Sequence, residues 1–144
     1  MVDPRELAKI SDQMAARGPD GEGSWISADK KIGFAHKRLA IIDTTEGGSQ
    51  PMSLTNRQGE VRLVITYNGE IYNYKELREE LISDGLRFTT QSDTEVLLHL
   101  YDRFGSAMVA RLRGMFAFAI WDNEKQKLFL ARDPFGIKPL YYSD

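Results

Sequence analysis

The sequence predicts an α+β fold, with antiparallel sheet and helices drawn from separate stretches of chain. Three observations carry that reading. Met115 to Trp121 and Lys127 to Ala131 are apolar runs of strand length joined by the polar turn Asp122 to Gln126, the pattern of a hairpin. Helical segments carry their own start signals, at Asp3-Pro4 and at Ser92 with Glu95 three positions on. Strands and helices do not alternate strictly, as a parallel βαβ sheet would require, so the sheet is expected to be antiparallel with helices packed outside it.

Taken in order, Pro4 at the first helical position and Glu6 at the third open an amphipathic helix whose Leu7, Ile10 and Met14 fall on one face. Arg17-Gly18-Pro19-Asp20-Gly21 enforces a turn. Short strands follow near Ser24 to Ile26 and Lys31 to Ala35, then an extended stretch from Leu39 to Ile42 and a loop from Thr44 to Gly48. Val61 to Tyr67 reads as a strand. Asn73 with Glu76 forms a capping box that starts a second helix, from about Tyr74 to Ser83, which stops at Gly85. Ser92 and Glu95 start a third, which runs to Phe104 before Gly105. Leu140 to Tyr142 is expected to be a final short strand.

Composition narrows the functions. A chain of 144 residues fits one domain and buries roughly 68% of its unfolded surface, enough for a core without staples. Net charge is −2 with both signs mixed throughout, so no basic stripe follows a phosphate backbone and nucleic acid is not an expected partner. No apolar run approaches the ~18 residues of a membrane span, and Met1 to Lys9 lacks the apolar centre of a signal peptide, so a soluble, cytoplasmic protein is expected. There is no cysteine, which excludes disulfides, thiolate metal sites and any thiol nucleophile within these residues. His36 and His99 are too far apart for a helical metal pair and are read as structural, with no partner at ligand spacing, so no metal site is expected. Phosphate-binding, dinucleotide-binding and serine-hydrolase signatures are absent. Arg132 to Pro139, with two prolines and a glycine, reads as a rigid connector.

The chemically suggestive stretch is Asn68-Gly69-Glu70-Ile71-Tyr72-Asn73, expected as a tight turn between strand and helix. A glycine there frees the backbone to point an N–H outward, so the Asn68 amide and Gly69 N–H could converge on a developing oxyanion. An Asn-Gly hairpin turn without chemistry is the other reading. Arg38 could grip a carboxylate in a bidentate fork, or lie on the surface. Glu70 could face solvent, and Asp93 could be a helix cap. Together the cation Arg38 and the anions Glu70 and Asp93 suit a zwitterion such as an α-amino acid.

Seven motifs in order connect these pieces: Arg17-Gly18-Pro19-Asp20-Gly21, Arg38-Leu39-Ala40-Ile41-Ile42-Asp43, Ser49-Gln50-Pro51-Met52, Tyr67 to Asn73, Ser92-Asp93-Thr94-Glu95, Leu112 to Ala119 and Arg132-Asp133-Pro134-Phe135-Gly136. In this the chain resembles, over nearly its whole length, the glutaminase domain of class II glutamine amidotransferases, most closely that of glutamine-hydrolysing asparagine synthetases. The resemblance implies an N-terminal-nucleophile hydrolase-like fold, a four-layer αββα sandwich of two antiparallel sheets. It also implies hydrolysis of glutamine, the ammonia passing to a synthetase domain. Arg38 would bind the glutamine α-carboxylate beside the backbone of Leu39 and Ile41. Asn68 and Gly69 N–H would hold the oxyanion, and Glu70 and Asp93 the α-ammonium. No cofactor is implied for this domain; ATP and magnesium belong to the synthetase domain.

The family's chains open on a strand that begins with a nucleophilic cysteine. Here the chain starts at Met1-Val2-Asp3, within the segment leading to the first helix, and Ala16 stands where the family commonly has His. The expectation is therefore residues 1–144 as an N-terminally truncated type 2 amidotransferase domain, with the first strand and the synthetase domain missing and no activity on its own. A non-catalytic glutamine-binding or scaffold module is the alternative. An unpaired sheet edge would favour homo-oligomers or strand exchange.

Overall fold

The computed structural model describes residues 1–39 and 46–143. Its longer elements are α1 (Pro4–Gln13), β1 (Gly21–Ile26), β2 (Gly33–Arg38), β3 (Met52–Thr55), β4 (Val61–Ile71), α2 (Tyr74–Ser83), α3 (Asp93–Phe104), β5 (Gly114–Asp122) and β6 (Lys127–Arg132). They form two antiparallel sheets, β1-β2 and β3-β4-β5-β6, so the α+β class with two antiparallel sheets is the fold observed. Helix α1 packs on the two-stranded sheet, and α2 and α3 lie on the far face of the larger one.

Strand alternation decides which side chains meet. Along β4, Leu63, Ile65, Tyr67 and Ile71 point to one face and join Leu77, Leu81, Val96, Leu97 and Leu100 of the helices in the main core. Helix α3 is buried from Asp93 to Tyr101, so it is the central helix of that layer. The opposite face of β4 and β5 meets the small sheet, where Phe34, Val64 and Trp121 form a second, smaller core.

Several local expectations are corrected. Asn68, Gly69 and Glu70 do not form a turn: they continue β4, paired with Ala117, Phe116 and Met115. Met115, Phe116 and Ala117 of β5 give that polar stretch a partner strand, which outweighs the Asn-Gly turn signal. Asn73 precedes α2 without capping it by its side chain, because that amide donates to Arg111 O at 3.0 Å and accepts from Arg113 N at 3.0 Å. Ser92 does cap α3, accepting from Thr94 N at 3.1 Å. Glu95, however, turns to the preceding loop instead of completing a box. Ile10 is 55% exposed, and Ser11 takes the buried position of α1. Residues Leu140 to Tyr142 form no strand, and Tyr141 and Tyr142 face solvent. Strand β3 was not foreseen, since four residues are too short to show a period. Of the extended stretch from Leu39 to Ile42, only Leu39 lies within the described residues, and it is not in a strand.

Candidate functional site

The space between the sheets changes character along the strands. At one end Trp121 fills it against Phe34 and Val64. Moving along β5 on the same face, Trp121 gives way to Ala119 and then Ala117, paired with Thr66 and Asn68. Loss of side-chain volume at these alanines opens a cavity of about 510 Å³, within the range of ~300–1,000 Å³ usual for small-molecule sites.

Polar groups converge on this cavity. Arg38 and Leu39 at the end of β2, Asn68 and Gly69 on β4, and Asp93 at the start of α3 all line it. Glu70 does not line it, and Ile41 lies outside the described residues. Sequence reading missed other members of the wall: Arg17, His36, Gln50 and Lys138. Arg17 and Gln50 fall within two of the seven motifs, so their positions were signalled although their roles were not. The connector after β6 was read as structural, yet Lys138, Pro139 and Leu140 form one side of the cavity. Buried Asp133 holds that segment, accepting from the backbone N–H of Phe116, Phe135, Ile137 and Lys138 at 3.0 to 3.2 Å.

The backbone of β4 supplies a donor in the same place. Amides two residues apart on a strand point the same way, and those of Tyr67, Gly69 and Ile71 point away from β5, toward the side where β3 has ended. The first donates to Gln50 Oε1 at 2.7 Å and the third to Asp93 Oδ2 at 3.1 Å. Gly69 lies between these two on the strand and lines the same cavity. Gly69 has φ +151°, and a Cβ there would come within 2.1 Å of the Met115 carbonyl oxygen, so only glycine fits.

Electrostatics sharpen the picture. Asp93 is 4% exposed, and burial pushes its carboxyl above the usual range, although hydrogen bonds from Tyr67 and backbone amides pull the other way. Burial, then the nearby Arg38 guanidinium, holds the His36 imidazole down to about 4, so it is neutral at physiological pH. Its Nδ1 lies 3.2 Å from Thr66 Oγ1, which fixes the ring against β4.

His99 has a nearby carboxylate after all. Its Nε2 stands 3.7 Å from Glu95 Oε1, one helical turn away. That carboxylate is already committed: Oε1 accepts from Thr89 N and Oγ1, and Oε2 from Thr90 N and Oγ1, at 2.7 to 3.0 Å. No group of metal-ligating side chains occurs among the described residues.

The glutamine amidotransferase domain family model matches residues 2–144. Asparagine synthetase [glutamine-hydrolyzing] 1 of Bacillus subtilis is 51% identical over 143 residues, covering 99% of this chain and 22% of that protein. Asparagine synthetase [glutamine-hydrolyzing] 3 of the same organism is 44% identical over 137 residues, 95% of this chain and 22% of that protein. The chain thus spans about a fifth of the length of these curated relatives. Among solved structures, glutamine phosphoribosylpyrophosphate amidotransferase from B. subtilis superposes with a TM-score of 0.61 at 31% identity, covering 73% of this chain and 24% of that one. The chain therefore belongs to the glutamine amidotransferase family, as the glutamine amidotransferase domain of an asparagine synthetase-like protein.

Proposed function

We propose that the inter-sheet cavity binds glutamine, and that in the whole protein this domain hydrolyses the side-chain amide to supply ammonia to a synthetase domain. The observation that carries the reading is the gathering of Arg38, Leu39, Asn68, Gly69 and Asp93 around one cavity of about 510 Å³. Arg38 would grip the α-carboxylate beside the backbone of Leu39 and Ile41. Asp93, with Glu70 nearby on β4, would attract the α-ammonium. The carboxamide of Asn68 and the N–H of Gly69 would stabilise the oxyanion that forms when the amide carbon is attacked.

These 144 residues contain no cysteine, so they hold the binding and oxyanion groups without a thiol to attack the amide. A protein of these residues alone is expected to bind glutamine and not turn it over, since losing a nucleophile costs on the order of 10⁶ in rate. Calorimetric titration with glutamine tests the site: heat of binding in the native chain, absent in Arg38→Ala, is the expected result. No heat in the native chain would refute it. Glutaminase turnover that persists through further purification would refute the inactivity.

A further inference from the structure

A buried hydroxyl stands behind the acid assigned to the ammonium. Tyr67 is 4% exposed, and its hydroxyl donates to Asp93 Oδ2 at 2.8 Å; the Ile71 N–H donates to the same oxygen at 3.1 Å. These donors use two of the roughly four lone-pair positions of the carboxylate. They come from one strand, β4, which also carries Asn68 and Gly69 two residues or fewer from Tyr67. The carboxyl of α3 and the oxyanion donors of β4 are thus tied together through a single side chain.

Resting on the glutamine reading above, we propose that Tyr67 is a positioning residue for ligand ammonium recognition, orienting the Asp93 carboxylate and keeping it ionised inside a desolvated wall. A phenol is suited to this. Its ring is anchored in the main core among the apolar residues of β4 and α3, so the hydroxyl reaches the carboxylate from a fixed direction. Burial raises the Asp93 carboxyl, and the Tyr67 hydrogen bond is the largest influence opposing that rise. The phenol itself stays protonated, because burial and then the Asp93 charge push its ionisation far above the usual range. Other ionisable groups face the cavity: His36, Lys37 and Arg38 on β2, Arg17 beyond α1, and Lys138 beyond β6. Glu70 on β4 adds negative charge near the phenol, and Glu95 lies two residues beyond Asp93 on α3.

Tyr67→Phe deletes the hydroxyl and keeps the ring, so it separates this role from packing. The Asp93 carboxyl is followed by ¹³C NMR through a pH titration, without ligand, in native and Tyr67→Phe chains. Glutamine binding is then measured by calorimetry between pH 5 and 8.5. The expected result is an upward move of the Asp93 midpoint by about one pH unit, a tenfold gain in proton affinity. The acid limb of glutamine binding moves with it, and affinity at pH 8.5 stays within about threefold of native. An unmoved Asp93 midpoint overturns the inference whatever glutamine does. So does an equal loss of affinity at every pH, which marks a purely structural role. If Tyr67→Phe does not fold, Asp93→Asn takes its place and must remove the acid limb altogether; a limb that persists overturns the inference. A native chain whose Asp93 midpoint is measurable but which binds no glutamine shows that the ligand reading itself has failed, and the inference falls with it.

Discussion

Gly69 and Gly114 sit on neighbouring strands, one paired with Phe116 and the other with Ile71, and each holds a backbone that a side chain would break. Their φ angles are +151° and +156°. A Cβ on Gly69 would meet Met115 O at 2.1 Å, and one on Gly114 would meet Glu70 O at 2.1 Å. The two strands therefore close on each other beside the cavity. Gly69→Ala is expected to cost about 3 kcal/mol or more, from the strained φ and the backbone clash together. Chemical denaturation measures it, and a loss under 1 kcal/mol would contradict this geometry.

The cavity exists because β5 carries alanine where it could carry a larger residue. Ala117→Leu places new atoms in open space, so its stability is expected to remain within about 1.5 kcal/mol of native. Glutamine affinity, by contrast, should fall at least tenfold, because the added volume occupies the site. Unchanged affinity in the calorimeter would mean that the ligand sits elsewhere.

Acid should weaken the fold in two stages. His36 is held down to about 4 from 6.5, so its contribution is complete above pH 6.5 and is lost as pH falls toward 4. Glu95 is about 2 instead of 4.5: burial raises it, but His99 and the donors of Thr89 and Thr90 outweigh that. Its contribution is complete above pH 4.5 and is lost as pH falls toward 2. Each is worth on the order of 2–3 kcal/mol. Thermal melts from pH 8 to pH 3 should show stability declining from about 6.5 downward, and His36→Gln should flatten the first stage. A native curve that is level between pH 6.5 and 4.5 would contradict the His36 assignment.

Asn73 joins α2 to the entry of β5 by its two hydrogen bonds to Arg111 O and Arg113 N. Asn73→Ala should cost about 1–3 kcal/mol by leaving both backbone groups unpaired. Asn73→Asp retains the acceptor for Arg113 N but loses the donor to Arg111 O, so it should recover part of that loss. Equal melting temperatures for the native and alanine chains would show that water replaces both bonds.

Much of the fold was legible because its signals are local. Asp3 and Pro4 start α1, Ser92 caps α3, and Gly85 and Gly105 follow α2 and α3; each acts within one turn of chain. The hairpin of β5 and β6 was equally plain, since its turn and both apolar runs are contiguous. Asn73 and Glu95 were misread for the opposite reason. Their side chains had local options, and each was drawn away, Asn73 by a backbone distant in sequence and Glu95 by the loop before its helix.

The sequence by itself determined the α+β class and the family resemblance, and it named Arg38, Leu39, Ile41, Asn68, Gly69, Glu70 and Asp93 as candidate residues. Only tertiary structure decided that Asn68 and Gly69 lie within a strand, that Lys138 and His36 share their cavity, and that Tyr67 stands behind Asp93. Caps, turns and hydrophobic periods are read from neighbours along the chain. A cavity is set by which side chains are small where two sheets face each other, and that depends on a register between residues far apart in sequence.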